Sequence, residues 1–123
     1  MEAKEYPFYG IGIIAFSMAS ADGVIQGRER HALQEMLREW SDQVEVGYDV
    51  TEIIFHLFVK TASPEELTYE RGMHYITLGK DYLTERIKEK FIFLINDVAH
   101  SFPPVTEVER ALIKRFRADI KHL

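Results

Sequence analysis

The chain has 123 residues, 46% hydrophobic and 28% charged, with no cysteine and a formal net charge of −5. That length allows one compact domain, and the absence of cysteine excludes a disulfide scaffold, a thiolate metal site and a cysteine nucleophile. The acidic balance argues against a duplex nucleic-acid binder, whose affinity comes from neutralising phosphates; the 12% aromatic content and the apolar share exclude disorder.

The most apolar segment, Phe8 to Ala21, is about 14 residues long, short of the ~20 a bilayer span needs. Ala19-Ser20-Ala21 has the small-x-small form of a signal-peptide cleavage site, but Glu2, Lys4 and Glu5 give an acidic start where an export signal wants a positive one. The segment therefore reads as a buried first helix over Ala3 to Ala21, with Ile11, Ile14, Ala15 and Met18 inward, and the expected location is cytoplasmic. Asp22-Gly23 ends it as a turn. A second helix starts near Gly27, with Leu33, Met36, Leu37 and Trp40 at helical spacing and Arg28, Arg30, Glu35 and Arg38 outward.

Three later starts carry the capping-box pattern: Asp49…Glu52, Ser63…Glu66 and Thr106…Glu109. They predict a third helix over Val50 to Thr61, with Val50, Ile53, Ile54, Leu57 and Phe58 inward. A fourth spans Pro64 to Lys80 and is interrupted or weakened by Gly72 and Gly79. A fifth runs from Thr84 to Ser101 with Ile87, Phe91, Leu94, Ile95, Val98 and Phe102 at core spacing, stopped by Pro103-Pro104. A sixth runs from Thr106 almost to the end, with Val108, Leu112, Phe116 and Ile120 along one face. No hairpin signal interrupts this pattern, so the fold class is all-α: a single-domain bundle of six or seven helices.

An offset of 80 superposes Glu29-Arg30 on Glu109-Arg110 without gaps, and with them Ala19 on Ala99, Ile25 on Val105, Leu33 on Ile113 and Met36 on Phe116. Each unit, about 11–40 and 91–120, is an apolar helix, a turn with one aliphatic residue, then an amphipathic helix. One such pair cannot bury its apolar stripe alone, whereas two facing pairs can, which predicts a pseudo-twofold bundle in which Ile25 and Val105 meet.

The run Ala19-Ser20-Ala21-Asp22-Gly23-Val24-Ile25-Gln26-Gly27-Arg28-Glu29-Arg30 resembles the A-x-A-D-G-x-I-x-x-x-E-R segment of the tellurite-resistance TerB-like family, and Asp97 to Arg110 resembles that family's second copy. The resemblance covers roughly residues 8 to 121. It implies an all-helical domain found alone in stress and tellurite-resistance loci and fused to other modules, including J-domain co-chaperones. It also implies a divalent-metal role for acidic residues near the inter-helix turns, here Asp22, Glu29, Asp97 and Glu109, with calcium or magnesium as the cation. The second copy departs from the pattern, with Phe102-Pro103 where the first has Asp22-Gly23, so one of two symmetric acidic turn positions is missing.

Read from the residues, the acidic set has structural work of its own. Asp22 forms a turn, and Glu29 and Glu109 occupy first turns where carboxylates favour the helix dipole. Asp22 does not open an EF-hand, because Val24, Gln26 and Leu33 stand where such a loop needs oxygen ligands. Of the five histidines His31, His56, His74, His100 and His122, none pairs at metal-ligand spacing on one face; Asp97 and His100, three apart, read as a helix-surface pair. Gly10-x-Gly12 lies in an apolar helix rather than after a strand, and no nucleophile elbow or phosphate loop is present.

Charge is uneven. Residues 1–83 carry net −7 and residues 84–123 net +2. In the last helix Arg110, Lys114, Arg117 and Lys121 recur at spacings of four, three and four and form a basic stripe. It reads as a solvated face, as a partner for the acidic part of this chain within the monomer or a homodimer, or as a docking face for an acidic partner. Tyr69, Tyr75, Tyr82, Phe93 and Trp40 exceed what one face of each helix needs, a surplus that reads as an exposed patch or as burial on more than one side.

The leading functional expectation is a non-enzymatic interaction module of a bacterial stress response with a protein partner, no nucleic acid and no transmembrane segment. A weak cation site using Asp22, Glu29 and Asp97 would fix the angle between the helix pairs. The alternatives are a scaffolding domain whose acidic residues only cap helices, and a small enzyme, which would need a concave pocket gathering His100, Asp97 or other titratable groups with shifted pKa values.

Overall fold

A computed structural model describes residues 3–19, 27–43, 68–101 and 105–123. Among them the chain is all-helical, with no strand: α1 is Tyr6–Ala19, α2 Gly27–Gln43, α3 Tyr69–Leu78, α4 Glu85–Ser101 and α5 Glu107–Lys121, with one 3-10 turn at Lys80–Tyr82 before α4. Five α-helices are thus described against the six or seven expected. The predicted third helix with its Asp49…Glu52 box, the Ser63…Glu66 box, the Asp22-Gly23 turn, Ile25 and Phe102 lie outside the described residues.

α1 is the central element. Pro7 sits in its first turn, where a missing N–H costs nothing. Pro7, Phe8, Gly10 to Ala15 and Met18 are all buried, so the helix is covered nearly all round, as its sequence requires. It packs chiefly on α3, next on α4, and lightly on α2. Gly72 does not interrupt α3. It lies inside the helix because α1 and α3 cross there backbone to backbone: a Cβ on Gly10 would run into the Gly72 carbonyl, and one on Gly72 would run into Ile14 Cγ1. The helix cost of a mid-helix glycine, about 1 kcal/mol, is offset by this approach. Thr68 caps α3 by accepting from Arg71 N at 3.1 Å, and Gly79 is its C-cap.

The core follows the predicted stripes. Ile11, Ile14, Ala15 and Met18 of α1, Leu33, Leu37 and Trp40 of α2, and Phe91, Leu94, Ile95 and Val98 of α4 are buried together, and Met36, Ile87 and Leu112 pack against them. Trp40 stands beside Phe8 and Phe91 at ring-centroid distances of 6.3 and 5.8 Å, and its indole N–H donates to the Lys90 carbonyl at 3.2 Å. Tyr69 belongs to the same buried cluster, on the side where α3 approaches α5 through Asp119.

Two details depart from expectation. Val108 is 60% exposed, although its four-residue spacing placed it inward with Phe116 and Ile120. A strict four-step stripe winds about 40° per step around a 3.6-residue helix, so after three steps Val108 stands about 120° from Ile120; Glu109 takes the inner position instead, 3% exposed. The predicted repeat is not established among the described residues: α2 packs on both α1 and α4, whereas α5 packs chiefly on α4, and Leu33 is buried where its counterpart Ile113 is only half-buried.

Candidate functional site

α5 begins with the predicted capping box. Thr106 Oγ1 accepts from Glu109 N at 3.1 Å, and Glu109 Oε1 accepts from Thr106 N at 3.3 Å and from its hydroxyl at 3.1 Å. The box satisfies donors that the first turn cannot satisfy internally, and it fixes where the rest of the helix points. Phe116 and Ile120 face the core, and Arg110, Lys114, Arg117 and Lys121 are exposed. Among the described residues none of these four cations has an ion pair. Arg115, on another side, is paired: it reaches Glu70 at 3.4 Å and Asp119 at 3.7 Å and lies 4.3 Å over the Tyr69 ring.

α5 runs antiparallel to α4. Lys88, in the first turn of α4, is buried and donates to the Leu123 backbone oxygen beyond α5 at 2.7 Å, so the start of one helix lies at the end of the other. The C-terminal half of α4 and the first three turns of α5 leave a cleft of about 440 Å³ lined by Asn96, His100, Val105, Arg110, Ile113 and Arg117. Two guanidinium groups, an imidazole and an amide surround a half-buried aliphatic floor. His100 Nδ1 donates to the Asn96 carbonyl one turn back at 2.7 Å, since a carbonyl only accepts, and this leaves Nε2 for a ligand. Among the described residues the lining holds no carboxylate and no hydroxyl. Phe93, 65% exposed, stands one turn before Asn96 on the same row of α4.

The acidic residues are distributed differently. Asp22 lies outside the described residues. Glu29 is in the first turn of α2, its side chain outside them. Asp97 is exposed on α4; it does not line the cleft, and His100 turns to the Asn96 carbonyl, so the expected Asp97–His100 pair is not formed among the described residues. Glu109 is buried with its Oε1 in the cap. Among the described residues no group of three or more His, Asp or Glu side chains gathers as a metal site, and no helix is long and apolar enough to cross a membrane.

The surplus aromatics divide. Trp40 and Tyr69 are buried, Tyr75 is half-buried against Tyr6 and Tyr9 at 5.7 and 4.9 Å, and Tyr82 and Phe93 are exposed. Tyr69 donates to Asp119 Oδ2 at 2.5 Å and bridges α3 to α5. Burial holds its phenol well above the ordinary tyrosine value; the hydrogen bond to Asp119 and that carboxylate's charge push the same way, against Arg115.

Sequence reasoning found Arg110, Arg117 and His100 but not Asn96 or Val105 as their neighbours, and it treated Ile113 only as a repeat position. The readable signal was the Arg110–Ile113–Arg117 row at i, i+3, i+7, which alternates cation, aliphatic and cation on one helix face. No protein-family profile, curated protein or solved structure matches the chain.

Proposed function

We propose that this chain is a non-enzymatic interaction module that docks an acidic protein partner on the cationic face of α5. One observation carries the reading: Arg110, Lys114, Arg117 and Lys121 are all exposed and unpaired among the described residues, in a chain whose net charge is −5. A stripe that served only to complement the acidic part of its own chain would spend its cations on internal ion pairs, as Arg115 does with Glu70 and Asp119. Unpaired cations, two of them lining a cleft whose described residues include no carboxylate, attract and orient an acidic surface.

The test is fluorescence anisotropy of a labelled hexaglutamate peptide with the full chain at increasing sodium chloride. The expected result is saturable binding that weakens with salt and is lost in the fourfold variant Arg110→Glu, Lys114→Glu, Arg117→Glu, Lys121→Glu. Absence of binding at low salt, or equal binding by that variant, overturns the reading.

The resemblance to the TerB-like family supports placing the module in a bacterial stress response and adds a divalent cation at the inter-helix turns. In that part of the proposal Asp22, Glu29 and the exposed Asp97 supply oxygens, and Glu109 contributes only its second carboxylate oxygen, since Oε1 is held by Thr106. An amide NMR titration of chelator-stripped protein with calcium and then magnesium decides it. Saturable shifts around Asp22–Glu29 and Asp97–Glu109 support the cation, and unchanged spectra at millimolar cation remove it.

A further inference from the structure

We infer that the cleft between α4 and α5 is a seat for one particular kind of acidic partner: an amphipathic helix that carries carboxylates seven residues apart with an aliphatic residue between them. This rests on the docking reading above and goes beyond it by naming the partner's shape and register.

The spacing comes from the two walls. α5 presents Arg110, Ile113 and Arg117 at i, i+3 and i+7, and α4 presents Asn96 and His100, one turn apart, with the exposed Phe93 one turn before Asn96 on the same helix row. Seven residues rise about 10.5 Å along a helix. A furrow between antiparallel helices, with an i, i+3, i+7 row on one wall and residues one turn apart on the other, matches a third helix whose side chains recur at those steps. The antiparallel order sets the polarity of the site. His100 stands toward the Arg110 end, and Phe93 stands toward the Arg117 end, where the start of α4 meets the end of α5 through Lys88 and Leu123.

The chemistry of the walls sets the partner's side chains. Arg110 and Arg117 are unpaired forks suited to carboxylates. Between them Ile113 and Val105 form an apolar floor. Phe93, one turn before the cleft residue Asn96, is the most exposed of the large hydrophobic side chains among the described residues, and an exposed aromatic of this kind suits an interface anchor. A carboxylate–aliphatic–carboxylate row answers a cation–aliphatic–cation row one for one, and the partner's flanking apolar residue covers Phe93.

The backbone argues for a helix rather than an extended peptide. α4 and α5 have used their main-chain donors and acceptors internally, so an extended segment laid across them would find no main-chain partners. A helix arrives with its own backbone satisfied and needs only side-chain complementarity.

The experiment uses the full chain and three probes: a hydrocarbon-stapled 15-residue helix with Glu at two positions seven apart and Leu between, the same sequence unstapled with a central proline, and the hexaglutamate peptide. The stapled helix is expected to bind at least about tenfold more tightly than the other two. Phe93→Ala, at a position too exposed to support the core, is expected to remove that advantage while leaving hexaglutamate binding unchanged. Arg110→Ala with Arg117→Ala is expected to weaken all three probes. Equal binding of helical and proline-broken peptides, or indifference of the stapled helix to Phe93→Ala, overturns this inference and leaves the docking reading standing. Failure of every acidic probe removes both. Concentration-dependent dimerisation of the protein alone, abolished by Phe93→Ala in analytical ultracentrifugation, would give the cleft to a second copy of this chain and overturn the acidic-helix partner.

Discussion

The α1–α3 and α4–α5 joints are both helix pairs in the same small bundle, and they are closed in opposite ways. α1 and α3 touch backbone to backbone at Gly10 and Gly72, with no room for a single added methyl. α4 and α5 touch along the core edge and then part into a cleft walled by arginine, histidine and asparagine. The first joint contributes stability by excluding everything, and the second keeps cationic groups available by leaving space. Small domains have few surfaces to divide between these duties, and here they fall on different helix pairs.

The sharpest way to break the contrast is Gly10→Ala. It puts a Cβ against the Gly72 carbonyl and Ile76, and is expected to cost about 2–3 kcal/mol as overpacking despite alanine's better helix propensity. Urea unfolding reads the loss, and a neutral result would mean that α1 and α3 can slide apart at no cost. Tyr69→Phe comes next. It removes the phenol that donates to Asp119 and is expected to cost about 1 kcal/mol near neutral pH.

That substitution also has a pH signature. The folded phenol holds its proton more tightly than the unfolded one, so its contribution is complete below the ordinary tyrosine value of about 10 and drains away as pH rises above it. Urea midpoints measured at stepped alkaline pH are therefore expected to fall less steeply in Tyr69→Phe than in the natural chain. Thr106→Ala, which strips the cap from α5 beside the cleft, is expected to cost about 1 kcal/mol in the same assay.

The smallest expected stability effect belongs to the open joint. Arg110→Ala and Arg117→Ala are each expected to stay within about 0.5 kcal/mol of the natural chain, because both side chains are exposed and neither has an ion pair among the described residues. If either variant unfolded markedly more easily, the cleft would be a structural seam and the contrast between the joints would fail.

What the sequence disclosed follows from the range over which each signal acts. The Thr106–Glu109 box is a four-residue interaction, and it is found as predicted. The buried stripes of α1, α2 and α4 are also local, set by helical period. Val108 misled because four-residue steps drift around the helix, and the capping box had already committed Glu109 to the inner position. Gly72 read as a weakness because a glycine's value at a crossing depends on the helix it meets, here some 60 residues away in sequence. The cleft was half-legible for the same reason. Its α5 wall is a pattern within one helix, whereas the approach of Asn96 and His100 is a product of packing. The acidic turn positions were nameable from resemblance, but their grouping depends on distances that no spacing along the chain supplies.

The indole of Trp40 has a practical meaning beyond its place in the core. It is the chain's single tryptophan, it sits on α2, and it rests between Phe8 of α1 and Phe91 of α4 with its N–H tied to a carbonyl of α4. The molecule thus carries a built-in optical reporter at the meeting point of three helices. Its fluorescence will shift to the red when α2 leaves the other two and will stay still when only the outer face of α5 is occupied, so one cuvette can tell loss of the fold from engagement of the surface.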